Sequence, residues 1–495
     1  MLSSAREIRG LIRRHVVGDH CYYTNSKQKS KASLYGRISP MGSPTVNVTP
    51  ELEKWVEMGN KVRFAELQRI IVDLRKRKRY NQALQVSEWM KNRGFAFTPV
   101  QHAVQLDLIG KVHGFESAED YFSSLSEEDK TDKAYGALLH CYVRQRQTEK
   151  ALVHFNTIKE KGLALSSVAY NDLMCLYSDI GKNAEIPEIF NQMRNNGCQP
   201  DNLSYRICIT SFGARSDIKG LESILNEMEC DANIVMDWNT YAVVANFLVK
   251  AELKDKANSI LEKAEGMLDS KDGLGYNHLI SLHARMGNRD KVLSLWCLEK
   301  DNCKRCLNKD YLNMLDSLVK LDELEEADKV LKEWELSRNC YDFRVPSVVI
   351  VGYIEKGLCG KSEELLRDLV GMGKETTPNI WGRLVIGYLE KGKMDNGLEC
   401  LKMAISLCEA YKGAKIGDKV VTKLLKLVGE KGRLDDAEKV VTWLRSAIPL
   451  RRHMYKTFLN SYITSGGEER ERILDILKAD KYEKDEEFLK ILEAA

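Results

Sequence analysis

Ser167-Val-Ala-Tyr-Asn-Asp-Leu-Met174, followed by Ile189-Phe-Asn-Gln-Met-Arg-Asn-Asn-Gly-Cys-Gln-Pro-Asp201, reads as two short amphipathic helices with a glycine and a proline closing the second. Its tyrosine belongs to a series. Tyr135, Tyr170, Tyr205, Tyr241, Tyr276 and Tyr311 recur at intervals of 35, 35, 36, 35 and 35 residues. Laid out at that period, Ala83, Ala151, Ala257, Ala327 and Ala437 share one second-helix position. Phe155, Phe190, Trp296 and Leu331 share a bulky position four residues on, and Met90, Met193 and Met228 share another. Gly94, Gly162 and Gly197 end the second helix.

The aromatic of the first helix and the small residue of the second let the two pack closely. The bulky positions are left to bury against the next unit. One such pair cannot hide its apolar face alone, so the units must stack into an all-α solenoid. The period places twelve units at 64–99, 100–131, 132–166, 167–201, 202–237, 238–272, 273–307, 308–342, 343–377, 378–417, 418–451 and 452–486. The unit at 378–417 runs to 40 residues, so a loop or helix is extended there. Residues 46–63 read as a linker or N-terminal cap, 64–486 as the solenoid and 487–495 as a C-terminal tail. The charged stretch Glu468 to Glu493 suits a polar cap.

Composition supports a long helical chain. Of 495 residues, 43% are hydrophobic and 8% aromatic, which excludes wholesale disorder. Only 9 prolines and 33 glycines punctuate it, too few for an all-β protein. No run of 18 apolar residues is present, so no membrane-spanning helix is expected. The net charge is +3, unevenly placed. Residues 1–45 carry eight basic side chains against Glu7 and Asp19, leaving 67 basic and 70 acidic residues for 46–495. A nucleic-acid surface on the body must come from the placement of charge and not from its total.

Leu2, Ile8, Leu11 and Ile12 can share one helical face, with Arg6, Arg9, Arg13 and Arg14 around the others and serines following. Residues 1–45 therefore read as a transit peptide and disordered leader. Arginine in the first 14 residues favours the mitochondrion, its matrix, with the chloroplast as the alternative. A disordered basic arm on RNA or membrane is the other reading of this segment. The 13 cysteines, scattered singly, read as reduced and mostly buried thiols. Cys303 and Cys306, with Cys297 nearby, lack the second half of a zinc site.

The segments at 167–174 and 189–201 resemble a complete pentatricopeptide repeat. Ala83-Leu-Gln-Val-Ser-Glu-Trp-Met-Lys-Asn-Arg-Gly94 and Gly387-Tyr-Leu-Glu-Lys-Gly392 carry the same pattern. A period of 35, with no Trp-x-x-Leu-Gly-x-x-Tyr, sets the chain apart from tetratricopeptide repeats. The resemblance spans 64 to about 486 and is to the plain P-type subclass of plant organelles. It implies a right-handed α-solenoid superhelix that binds single-stranded RNA on its first-helix face, one base per repeat, read by two or three side chains.

On that resemblance, the fifth residue of each repeat pairs with its last. Asn171 with Asp201 matches the family pattern and favours uracil. Arg206 with Asp237 suits phosphate or stacking better than base reading. Gly136 with Ser166 and Ala242 with Asp272 offer little first-helix hydrogen bonding. Asn277 faces Leu307 and Leu312 faces Asp342, so each pair is half a reader. Ser347 with Thr377 is polar but small, while Gly382 with Gly417 and Thr422 with Arg451 depart from the pattern. Val168, Leu203 and Leu274 sit where the family wedges apolar side chains between bases, or are ordinary solenoid surface or core. Arg75, Lys76, Arg77, Lys78 and Arg79 form the strongest basic run, read either as phosphate contacts or as a solvated turn between helices.

No phosphate-binding Gly-rich loop, nucleophile elbow, zinc-protease helix or deaminase motif is found. Acidic pairs such as Glu325–Glu326 and Asp435–Asp436 begin second helices, where carboxylates complement the helix dipole. No catalysis, cofactor, metal or small-molecule substrate is expected. Two functions remain. One is a single-stranded RNA-binding protein in mitochondrial RNA metabolism. The other is a scaffold for proteins or the mitochondrial ribosome, in which base-reading positions can drift.

Overall fold

The computed structural model describes residues 33–41, 46–163, 166–337, 339–411, 413–431, 434–467 and 469–493. They are helical throughout, with no strand among them. The chain divides into two compact units, 1–264 and 265–495.

In the first unit, first helices at Pro99–Val112, Asp132–Arg144, Ser167–Asp179, Asn202–Ala214 and Trp238–Lys250 pack side by side in chain order. Each is followed by a second helix: Phe115–Ser123, Thr148–Glu160, Ile186–Asn195, Ile218–Cys230 and Lys254–Gly266. Ahead of them lies the pair Phe64–Lys76 and Tyr80–Asn92. In the second unit, Gly273–Met286, Asn308–Lys320, Arg344–Glu355, Pro378–Glu390, Asp418–Glu430 and Arg452–Thr464 form the same kind of row. The long unit owes its length to its second helix, Met394–Ala410, of 17 residues.

The periodic residues explain the stacking. Ala83, Ala151, Ala257 and Ala327 are fully buried where a larger side chain would hold the paired helices apart. The six periodic tyrosines are buried as well. Phe155 meets Tyr170, Phe190 meets Tyr205 and Trp296 meets Tyr311 edge-on, with ring centroids 5.3, 5.1 and 5.3 Å apart. The bulky residue of one repeat thus packs on the tyrosine of the next, each contact adding roughly 0.5–1.5 kcal/mol beyond its buried area. A buried hydroxyl needs a partner. Tyr170 accepts from Asn196 at 2.6 Å, Tyr205 donates to Asp231 at 3.2 Å, and Tyr311 donates to Glu333 at 3.2 Å.

The turn inside each pair also repeats. Lys78, Arg146, Ser216, Glu252 and Asp322 adopt φ between 58° and 65°, where Gly181, Gly287, Gly357 and Gly392 sit in other repeats. Helix-pair packing imposes a left-handed residue there whatever the sequence supplies. For a residue with Cβ this costs roughly 1–2 kcal/mol. Exposed Glu252 gives a direct check. Glu252→Gly is expected to raise stability by about 0.5–1 kcal/mol in urea unfolding, because relief of strain exceeds the added backbone entropy. A loss of stability would mean that the side chain holds the turn.

Both ends of the chain depart from the expected boundaries. The disordered leader reaches too far at 45, because Leu34–Ile38 is a helix with Leu34 and Ile38 fully buried. Thr49–Glu57 follows it, a helix that buries Leu52 and Trp55. Residues 487–495 are not a plain tail: Glu486–Glu493 is a helix whose Phe488 and Leu492 are buried. The amphipathic face at Leu2, Ile8, Leu11 and Ile12 lies outside the described residues. The thiols are less buried than expected. Cys141, Cys208, Cys359 and Cys400 are buried, whereas Cys230, Cys297 and Cys340 are exposed. Among the described residues, no helix is long and apolar enough to cross a membrane.

Candidate nucleic-acid interface

Adjacent first helices place the fifth residue of one repeat beside the start of the next. Asp201 is the N-cap of Asn202–Ala214, accepting from the Ser204 N–H at 2.9 Å and the Ser204 hydroxyl at 3.0 Å. Asn171 reaches across from the preceding first helix and donates its Nδ2 to the same carboxylate at 3.0 and 3.3 Å. Burial pushes the Asp201 carboxyl up. Hydrogen bonds from the Ser204 N–H and from Asn171, Ser167 and Ser204 outweigh it and hold the group below the usual carboxylate range. With Nδ2 committed, Asn171 Oδ1 is left buried without a protein partner. A buried acceptor without a donor costs about 1–3 kcal/mol, so an incoming N–H is favoured there.

Arg206 and Asp237 repeat this arrangement. Arg206 Nη1 lies 2.8 Å from Asp237 Oδ2, and Asp237 caps Trp238–Lys250 through the Thr240 N–H at 2.8 Å. Arg206 is only 8% exposed. Its guanidinium is engaged in a part-buried ion pair with a carboxylate that sits where Asp201 sits one repeat earlier.

Asn277 does not face Leu307 without a polar partner, as its spacing suggests. It donates Nδ2 to Asp310 Oδ1 at 2.7 Å and to the Gly273 carbonyl at 2.6 Å. Asp310 lies in the first turn of Asn308–Lys320, and its other oxygen accepts the Leu307 N–H at 2.7 Å. Glu299, from the second helix Arg289–Asn302, stands 3.4 Å from the same Nδ2. Glu299 is 1% exposed, and burial followed by the nearby Asp310 charge pushes its carboxyl up to about 8. Neither Asp310 nor Glu299 stands out in the sequence. The available signal for Asp310 is an acid at the third helical position, the usual place for a capping carboxylate.

The remaining positions offer less. Asp342 is taken by Arg344, whose guanidinium donates to it at 2.6 and 2.9 Å and holds its carboxyl low, so Leu312 has no acidic reader beside it in effect. Ser347 donates to the Arg344 carbonyl at 2.7 Å and Thr422 to the Asp418 carbonyl at 2.8 Å, each within its own helix. Arg451 pairs with Asp418 at 2.7 Å. The Gly417 N–H donates to Asn379 at 3.1 Å. Val168 is 60% exposed, while Leu203 and Leu274 are half-buried, so none of the three is a core residue.

The basic run does not present five cations together. It is the turn between Phe64–Lys76 and Tyr80–Asn92. Arg75 pairs with Asp107 at 2.8 Å and Arg77 with Asp73 at 2.9 Å. Arg79 donates to the carbonyls of Ile38, Ser39 and Met41 at 3.1, 2.8 and 2.6 Å, closing the end of the helix Leu34–Ile38. Lys76 and Lys78 are exposed.

Comparison with known proteins places this geometry. Family models match at three places: a PPR repeat family model at 165–214, a pentatricopeptide repeat domain model at 133–179 and a PPR repeat model at 310–338. A mitochondrial pentatricopeptide repeat-containing protein of Arabidopsis thaliana is 47% identical over 97% of this chain and 97% of its own. A second from that plant, also named mitochondrial, is 32% identical over 81% and 85%. Among solved structures, the pentatricopeptide repeat protein PPR10 in complex with an 18-nucleotide psaJ RNA element superposes with a TM-score of 0.54 at 16% identity. That match covers 84% of this chain and 64% of that one, and it shows the α-solenoid fold. With relatives at this identity along nearly its whole length, and the repeat built residue by residue as above, the chain belongs to the pentatricopeptide repeat family.

Proposed function

We propose that the protein binds single-stranded RNA in the mitochondrion along its first-helix face and acts, without catalysis, in transcript stabilisation, processing, splicing or translation. The observation that carries this is the Asn171–Asp201 pair. A fixed carboxylate orients the amide, and its oxygen, buried in the RNA-free protein, is the acceptor left for a base N–H to satisfy. An acceptor there suits the N3–H of uracil and opposes the N3 lone pair of cytosine. The mitochondrial names of the relatives and the RNA bound to PPR10 support the reading.

Asn171→Ala with Asp201→Ala is expected to remove a uracil preference over cytosine of roughly 1–3 kcal/mol, by analogy with DNA base contacts. Filter binding to RNAs differing at one nucleotide measures it. Equal loss on every RNA would show that the pair is structural only.

The scaffold reading draws on the second unit, where Ser347 and Thr422 spend their hydroxyl protons on their own helices and Gly382 has no side chain to read with. Crosslinking of the tagged protein in mitochondria separates the two. A footprint on a messenger or intron supports the transcript role, and reads confined to ribosomal RNA support a ribosome-docked solenoid.

Backbone recognition is tested at the basic turn. Lys76→Ala with Lys78→Ala is expected to lower the salt slope of RNA binding by about 1 for each phosphate that a lysine neutralises. Arg79→Ala is expected to release residues 33–41 to proteolysis, since its hydrogen bonds go to carbonyls of this chain. An unchanged slope in the lysine variant would mean that the turn meets only solvent.

A further inference from the structure

The repeat at 132–166 has Gly136 where a reading side chain would stand, yet its first helix is not bare. Lys133, Gly136, Ala137, His140 and Arg144 fall at helical spacing on one face of Asp132–Arg144. A side-chain carbon at Gly136 would meet nothing within 4 Å, so the face is open between its cations. Lys133 and Arg144 are exposed, and the His140 side chain is 44% exposed. His140 lies between first helices on both sides. Its Nδ1 is 3.0 Å from Asp172 Oδ1 on Ser167–Asp179, one residue beyond Asn171. Asp107 and Lys111 of Pro99–Val112 act on it from the other side. Asp107 is answered by Arg75 at 2.8 Å and by Lys111 at 2.6 Å. Asp172 has His140 as its ion-pair partner, while its Oδ2 is buried without one. Such a carboxylate favours the charged imidazole beside it.

We propose that His140, held by Asp172, binds a backbone phosphate of single-stranded RNA, making the repeat 132–166 an anchor one repeat ahead of the Asn171–Asp201 pair. The proposal rests on the RNA-binding reading above. The chemistry follows from how the two ring nitrogens are divided. Nδ1–H donates to Asp172, which fixes the ring and leaves Nε2 for a ligand. In the protonated ring Nε2 is a donor that cannot accept, so it suits a phosphate oxygen and opposes a base acceptor-seeking edge. Charge placement points the same way. Arg75 and Lys111 cancel Asp107 and Asp172, so the cations of the helix face itself, with His140 at their centre, remain for a ligand. The hydrogen bond to Asp172 and its charge, with a smaller push from Asp107, raise the imidazole above its ordinary value against burial and Lys111. The titratable groups of the second helices packed on this one, Glu119, Lys150 and His154, gather instead around Tyr142. Two positions along a helix place Tyr142 about 200° round from His140.

The test is binding of the full chain to an oligouridine long enough to span the first unit, measured by fluorescence anisotropy against salt at a series of pH values. The wild-type salt slope is expected to be steeper at pH 6 than at pH 8.5 by about 0.7–1, the share of one neutralised phosphate. Affinity at the lower pH should be roughly threefold to tenfold higher. His140→Gln is expected to show the shallow slope at both pH values. His140→Lys, charged throughout, is expected to keep the steep slope at both. Asp172→Asn removes the anion beside the ring and is expected to move the step to lower pH. A steep slope wherever position 140 is charged supports the proposal. A wild-type slope independent of pH, a step that persists in His140→Gln, or a lysine variant that behaves like the glutamine one overturns it while leaving the Asn171–Asp201 reader standing. An oligouridine that binds at no pH overturns the RNA-binding reading and this proposal together.

Discussion

The wild-type protein is expected to lose stability between about pH 5 and pH 8, and Glu299→Gln to flatten that decline. In the unfolded chain this carboxyl titrates near 4.5, whereas burial and the neighbouring Asp310 raise it to about 8 in the fold. Between those two values the folded state holds a proton that the unfolded state has lost. Folding then takes up a proton, and stability falls as pH rises through the interval. Each unit of difference corresponds to 1.36 kcal/mol, which sets a ceiling of about 5 kcal/mol above pH 8. Glutamine keeps the shape and the neutral state without the proton. The variant and the wild type should therefore agree near pH 5 and part steadily above it, the variant being more stable by several kcal/mol at about pH 8.5. Urea unfolding at a series of pH values measures the gap. Parallel curves would show that Glu299 is ionised in the folded protein.

Phe488→Ala is expected to cost about 3–5 kcal/mol, the usual loss for a fully buried phenylalanine. The ring is 0% exposed and packs 5.8 Å from Tyr482, which in turn lies 5.5 Å from Tyr455. In a stack where each repeat leans mainly on its neighbours, the damage should be local. Hydrogen exchange is therefore expected to accelerate in Arg452–Thr464 and Arg470–Lys478, while Asn202–Ala214 stays protected. Exchange rates unchanged near the C-terminus would mean that Glu486–Glu493 does not close the core.

Much of this protein is legible in order along the chain. The tyrosine series and the small and bulky positions of the second helix announce stacked helix pairs, because burying one face at a fixed period is a local property of the chain. The pairs Asn171–Asp201 and Arg206–Asp237 can be located for the same reason, since their spacing follows the repeat. Their chemistry is less accessible. A lone Arg206 suits phosphate, and only the carboxylate standing 2.8 Å away makes it an internal ion pair. The run Arg75–Arg79 reads as phosphate contacts or a solvated turn, and only the fold shows that Arg75 is spent on Asp107 and Arg79 on the carbonyls of Ile38, Ser39 and Met41.

The sequence by itself determined the all-α class, the period, the close approach within each helix pair and the absence of recognisable catalytic motifs. These depend on residues a few positions apart, or on the recurrence of one pattern. Tertiary structure alone decided that Leu34–Ile38 and Phe488 belong to the core, that Arg79 closes a helix end, and that Asp310 and Glu299 meet at Asn277. Each of these joins side chains from helices that the repeat pattern does not pair by position. Whether a carboxylate orients an amide depends on a distance of about 3 Å. Folding sets that distance, and sequence spacing does not.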